Sequence, residues 1–139
     1  MSEENLEKLI KTAADARNCA LARYSNFCVG AALEAGGGVY TGCNVESAAY
    51  EQTICAERVA IWKALSEGER QFTRLCVVVD TERLTPPCGA CRQVIWEFCG
   101  DIPVILANTR GATETLQMRD LLPRPFDSNF LEEAEAEKK

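Results

Sequence analysis

Leu6, Leu9, Ile10, Ala13, Ala14, Ala20 and Leu21 recur at helical spacing behind Ser2, which predicts an amphipathic first helix over residues 3–22 with Ser2 as its N-cap. Tyr24, Ser25 and Asn26 interrupt it. Residues 27–34 then form an expected strand that is apolar on both faces, and the Gly36-Gly37-Gly38 turn returns the chain as a second strand over 39–46. Thr53 is the expected cap of a second helix over 54–67, closed by Gly68. Ile54, Ala56, Val59, Ala60, Ile61, Trp62, Ala64 and Leu65 leave that helix little polar face, so more than one neighbour must bury it. Residues 75–79 suit a central strand. A third helix is expected over 88–99 with Gly100 as terminator, followed by strands at 104–107 and 113–116 and a short helix at 118–122 stopped by Pro123 and Pro125. This order predicts an α/β fold, a mixed sheet with helices on both faces.

The chain has 139 residues, 47% hydrophobic and 26% charged, enough for one core and one domain. Residues 1–131 are assigned to that domain and 132–139, rich in Glu and Lys, to a charged solvated tail. The formal net charge is −6, which argues against a nucleic-acid polymer as partner. No apolar run approaches the roughly 20 residues of a membrane-spanning helix, so no membrane association is expected. Glu3, Glu4 and Glu7 stand where an export signal would be basic, and a cytoplasmic protein is expected.

Eight cysteines and no histidine shape the candidate chemistry. In a reducing compartment each thiol is a small core residue, a metal ligand or a nucleophile. Cys88 and Cys91, in Pro87-Cys88-Gly89-Ala90-Cys91, sit three apart at a helix start, where the dipole favours thiolates. Alone, that motif equally fits a redox pair or half of a structural zinc site. Cys55-Ala56-Glu57 opens another helix, and two such ends can converge on one ion. Three thiolates leave one tetrahedral position of Zn²⁺ open, the pattern of a catalytic site. Glu57 can then carry protons at the open position. Arg58, three residues after Cys55, is either a surface arginine or a donor that withdraws charge from the thiolates. Cys19, Cys28, Cys43, Cys76 and Cys99 lie among apolar neighbours and are expected in the core. Trp62 and Trp96 are expected to serve packing.

Cys55-Ala56-Glu57 with Pro87-Cys88-Gly89-Ala90-Cys91 resembles the zinc-dependent nucleoside deaminases. Tyr24-Ser25-Asn26-Phe27, Val29-Gly30-Ala31-Ala32-Leu33, Gly42-Cys43-Asn44-Val45-Glu46 and Cys91-Arg92-Gln93 narrow the resemblance to the small homotetrameric cytidine deaminases, over nearly the whole chain. That resemblance implies a three-layer α/β/α sandwich around a mixed five-stranded sheet. It implies one Zn²⁺ per chain on Cys55, Cys88 and Cys91, proton transfer by Glu57 and charge moderation by Arg58. It further implies that Phe27 packs on the pyrimidine, that Asn44 and Glu46 bind the ribose hydroxyls, and that Ala56 contacts the base through its backbone. Ala48, Tyr50 and Phe126 are implied to come from neighbouring subunits. Ser47 stands where many relatives have Asn.

By spacing alone, Asn44 and Glu46 share one strand face and read sooner as a solvated strand end; only the resemblance turns them into sugar ligands. The activity implied is hydrolysis of cytidine and 2′-deoxycytidine to the uridine products and ammonia, within pyrimidine salvage. Its rivals are a deaminase of a cytosine-containing antibiotic, a polynucleotide-editing deaminase and a structural zinc module with a fourth ligand.

Overall fold

A computed structural model describes residues 2–138, so positions 1 and 139 of the expected domain and tail lie outside the described residues. The chain runs α1 (Glu3–Arg17), β1 (Gly30–Ala35), β2 (Gly38–Cys43), a 3₁₀ turn (Tyr50–Gln52), α2 (Ala56–Ser66), β3 (Phe72–Val79), α3 (Gly89–Cys99), β4 (Pro103–Asn108), β5 (Thr113–Gln117), α4 (Met118–Leu121) and α5 (Ser128–Glu137). The five strands form one mixed sheet in the order β2-β1-β3-β4-β5. Only β3 and β4 are parallel, joined by the crossover through α3.

Side-chain alternation along the strands divides the core in two. Leu33, Leu75, Val77, Val104 and Leu106 point to one side, where Ala60, Ile61 and Ala64 of α2 and Cys91 and Ile95 of α3 cover them. Ala32, Cys76, Val78, Ile105 and Ala107 point to the other, against Leu9 and Ala13 of α1. Each fully buried Leu, Ile or Val contributes roughly 1.5–3 kcal/mol, so the three layers hold together chiefly by apolar burial.

Two glycines let the helices approach the sheet at backbone distance. A Cβ on Gly30 would lie 2.0 Å from the Ala13 carbonyl of α1, and one on Gly42 would lie 2.2 Å from the Ala56 carbonyl of α2. The second contact seats the first turn of α2 against the end of β2.

Several boundaries differ from the pattern-based expectation, each for a tertiary reason. The first helix ends at Arg17 with Asn18 as C-cap, because Leu21 pairs with Val45 and donates its N–H to the Asn44 carbonyl at 2.9 Å. β1 starts at Gly30, since the Val29 N–H and Phe27 carbonyl bond to the Asn44 side chain outside any ladder. Thr53 does not cap α2; its hydroxyl accepts from Ser47 N at 3.0 Å and Cys55 is the N-cap. The expected tail boundary at 131/132 falls inside α5, whose Asp127 cap accepts from Asn129 N and whose Phe130 stacks on Phe126. Of the cysteines expected in the core, Cys76 is buried, Cys28, Cys43 and Cys99 are half-buried, and Cys19 is exposed where α1 stops short.

Candidate active site

Both helix starts expected to carry the chemistry meet at one place. Cys55 is the N-cap of α2 and Cys88 the N-cap of α3, each in extended backbone conformation without a side-chain cap bond. Their sulfurs are 3.9 Å apart, and with the Cys91 sulfur all three lie within 4.8 Å of one another. Two sulfurs bound to one tetrahedral Zn²⁺ at about 2.3 Å are separated by about 3.8 Å, so this spacing suits the ion. The donor set also fits: three soft sulfurs at two helix N-termini, with no fourth ligand in the cluster among the described residues.

Arg58 extends from the first turn of α2, where its Nη2 donates to Cys55 Sγ at 3.5 Å, while its Nε is buried without a partner among the described residues. The Cys91 thiol donating to Cys55, with help from Arg58 and Cys88, brings the Cys55 thiol down to about 5 despite its burial. Cys91 moves the opposite way, because donation to Cys55, burial and the nearby Glu57 and thiolate charges all disfavour a second anion. Ionising Cys91 beside the Cys55 thiolate is therefore disfavoured unless a cation lies among the sulfurs.

A cavity of about 230 Å³ opens beside the sulfurs, lined by Cys55, Ala56, Glu57 and Cys88 at one end and by Ser25, Phe27, Asn44 and Glu46 at the other. Glu57 is only 5% exposed, and burial, reinforced by the Cys55 charge, pushes its carboxyl up to about 7. Glu46 behaves oppositely. The Ser25 hydroxyl and N–H and the Tyr24 N–H hold it below the usual carboxylate range. Asn44 is buried, its Oδ1 accepting from Val29 N and its Nδ2 donating to Phe27 O, both at 2.8 Å.

Phe27, Asn44, Glu46, Ala56, Glu57, Cys55 and Cys88 thus line or border one cavity, with Cys91 behind it. Ala48, Tyr50 and Phe126 do not line it. Tyr50 is 73% exposed and meets Tyr24 edge-on at 5.6 Å, next to the cavity mouth; Phe126 is 56% exposed.

Three supporting residues escape pattern reading. Arg92 donates to the Pro87 carbonyl at 2.7 Å and to the Leu121 carbonyl at 2.9 Å, which fixes the loop before Cys88. Buried Asn108 donates to the Thr81 and Glu82 carbonyls and so shapes the loop that carries Thr85 and Pro86 to the cavity wall. Ser25 grips Glu46 from 21 residues away. Arg92 and Ser25 stand in motifs the resemblance uses, but nothing in the local sequence signals the partners of any of the three.

Comparison with known proteins decides the family. The model of the cytidine and deoxycytidylate deaminase zinc-binding region matches residues 3–107, which include the Cys-Ala-Glu turn and the paired cysteines. The chain belongs to the zinc-dependent cytidine deaminases. A cytidine deaminase of Sporosarcina psychrophila is 51% identical over 129 residues, 91% of this chain and 95% of the relative. One from Halalkalibacterium halodurans is 48% identical, covering 86% of this chain and 92% of the relative. The crystal structure of cytidine deaminase from Burkholderia pseudomallei superposes with a TM-score of 0.84 at 44% identity, over 91% of this chain and 100% of that one. The three-layer arrangement with its mixed sheet is therefore the architecture of the family, and zinc is the family's metal.

Proposed function

We propose that this deaminase hydrolyses cytidine and 2′-deoxycytidine to uridine and 2′-deoxyuridine with release of ammonia. The observation that carries the reading is one small cavity with a buried carboxyl beside three clustered sulfurs at one end and an anchored carboxylate at the other. Zinc held by Cys55, Cys88 and Cys91 supplies the Lewis acidity that makes water a competent nucleophile at neutral pH. Glu57 takes one proton from the attacking water and gives it to ring N3, then takes the second from the new C4 hydroxyl and passes it to the amine nitrogen as the C4–N bond breaks and the C4 carbonyl forms. Burial favours the protonated form of this carboxyl, which suits a group that must give up a proton as well as take one. Phe27 packs on the pyrimidine, the Ala56 backbone meets its polar edge, and Asn44 and Glu46 take the sugar hydroxyls. Arg58 offsets thiolate charge through Cys55.

The active species in this reading is a homotetramer in which Ala48, Tyr50 and Phe126 complete a neighbour's site. The exposure of Tyr50 and Phe126 supports it, as does the edge-to-face Trp62–Phe98 pair left half-exposed on α2 and α3. A cytoplasmic location and a place in pyrimidine salvage accompany it, supported by eight unpaired cysteines, which suit a reducing compartment. The test is direct: the purified chain should carry one zinc and convert free cytidine to uridine in an ultraviolet assay. Zinc without turnover of any free cytosine nucleoside would return the chain to the structural-module reading.

A further inference from the structure

The carboxylate of Glu46 is gripped from one side by consecutive residues. Tyr24 N and Ser25 N each donate to Oε1 at 2.9 Å, and the Ser25 hydroxyl donates to Oε2. Asn26 follows in the left-handed region at φ 56°, a conformation that asparagine tolerates better than most residues. That turn brings Phe27 N back to donate to the Ser25 hydroxyl oxygen at 3.0 Å. The ring closes through Asn44, whose Nδ2 donates to the Phe27 carbonyl at 2.8 Å and reaches Glu46 Oε2 at 3.4 Å. Ser25, Phe27, Asn44 and Glu46 all line the same cavity.

Lone-pair accounting shows what the grip achieves. Two N–H donors fill Oε1, and the Ser25 hydroxyl fills one position on Oε2. The remaining position on Oε2 carries only the long Asn44 contact, so a ligand hydroxyl can take it at little cost. Without Ser25 the carboxylate would keep its backbone anchors on Oε1 but could turn about them.

We infer that Ser25 is a positioning residue for the nucleoside sugar: its hydroxyl fixes the rotation of Glu46 so that one acceptor position is left for a sugar hydroxyl, and links that carboxylate to the backbone of Phe27. The inference rests on the sugar-binding reading of Asn44 and Glu46. Ser25 acts through Glu46 and leaves the proton-transfer end of the cavity untouched.

The test compares hydrolysis of cytidine and of 2′,3′-dideoxycytidine, which keeps the base and lacks the 2′ and 3′ hydroxyls, by wild type, Ser25→Ala, Ser25→Thr and Glu46→Gln. Ser25→Ala should raise KM for cytidine about tenfold, the scale of a hydrogen bond to a charged group, with kcat nearly unchanged. Its kcat/KM for the dideoxynucleoside should fall about twofold or less, and Ser25→Thr, which keeps the hydroxyl, should recover most of the loss on cytidine. Equal losses on both nucleosides would mean that Ser25 only braces the loop, and no loss on cytidine would overturn the assignment outright. Glu46→Gln distinguishes sugar binding by Glu46 from its positioning by Ser25. If its loss is also independent of the sugar hydroxyls, the sugar-binding reading fails; if its loss is sugar-dependent while that of Ser25→Ala is not, only the role of Ser25 fails. Ser25 is exposed and Glu46 half-buried, so all the variants should fold, as circular dichroism and zinc content will verify.

Discussion

The Nη2 of Arg58 donates to the sulfur of Cys55 at 3.5 Å while the Nε of the same guanidinium is buried without a partner among the described residues. An arginine that leaves one donor unsatisfied in order to reach a thiolate is aimed at that thiolate, because an orphaned buried donor costs about 1–3 kcal/mol. Arg58→Gln should therefore keep one zinc per chain, by atomic absorption, and lose about 10- to 100-fold in turnover on cytidine. Adding Cys88→His, which removes a thiolate charge, should restore part of the rate, a coupling between the two positions that a packing role would not produce. Unchanged turnover in the single variant would leave Arg58 as a residue of the helix flank.

Glu57 is the buried carboxyl at the sulfur end of the cavity, and Glu57→Gln preserves its shape while removing its capacity to carry a proton. The variant should fold, hold zinc and lose turnover by about 10²–10⁴-fold. Retained activity within a few-fold of wild type would take Glu57 out of the proposed proton path.

The core of this arrangement is legible in the chain because it is built from local periodicities. The run Leu75–Val79 announces a central strand, and three cysteines and a glutamate at two helix starts announce a metal site. What escapes is every boundary set by a distant partner. Thr53 looks like a helix cap until Ser47 N claims its hydroxyl, and Leu21 looks helical until Asn44 claims its N–H. α5 escapes for a different reason: it has no buried residue, so no apolar stripe marks it, and it leans on the Asp127 cap and the Phe126–Phe130 stack. Ser25 stands in a motif that the resemblance uses, but its grip on Glu46 is not legible there, because Glu46 lies 21 residues on, past the end of β2.

Gly42 is where α2 touches the sheet, and its replacement tests whether that contact sets the site. A Cβ there would lie 2.2 Å from the Ala56 carbonyl and 2.6 Å from Ala60 N, backbone atoms that cannot step aside individually. Gly42→Ala should cost about 1–3 kcal/mol in denaturant unfolding and lower zinc occupancy, since the shifted helix carries Cys55. Gly37→Ala, where nothing lies within 4 Å, is the control and should be close to neutral.

Shared sites make a prediction that single chains cannot. If Phe126 completes a neighbour's cavity, a Phe126→Ala protomer still offers its own Glu57, and a Glu57→Gln protomer still offers Phe126. Coexpressing the two should give hybrids more active than either parent alone, measured as turnover per zinc. Activity equal to the average of the parents would show that each chain works with its own residues only.

Glu34 and Arg74 face each other across β1 and β3, and their pairing predicts an acid limit to stability. Arg74 Nη2 lies 3.0 Å from Glu34 Oε2 and Arg74 Nε donates to Oε1 at 3.1 Å, while the arginine side chain is only 6% exposed. Burial disfavours the Glu34 charge, but the Thr73 hydroxyl and the Arg74 guanidinium outweigh it and hold the carboxyl below its ordinary value. A group whose folded pKa is depressed contributes stability above its unfolded pKa, and that contribution fades as pH falls through the folded value. The unfolding midpoint in urea should therefore drop between pH 5 and pH 3 more steeply for wild type than for Glu34→Gln. At pH 7 the same substitution should cost about 2 kcal/mol, between the worth of an exposed pair and the penalty for stranding a fully buried charge. Glu34→Gln with Arg74→Met should recover most of that loss, because the stranded guanidinium is removed along with its partner. A double variant as unstable as the single one would place the cost in packing and not in the charge.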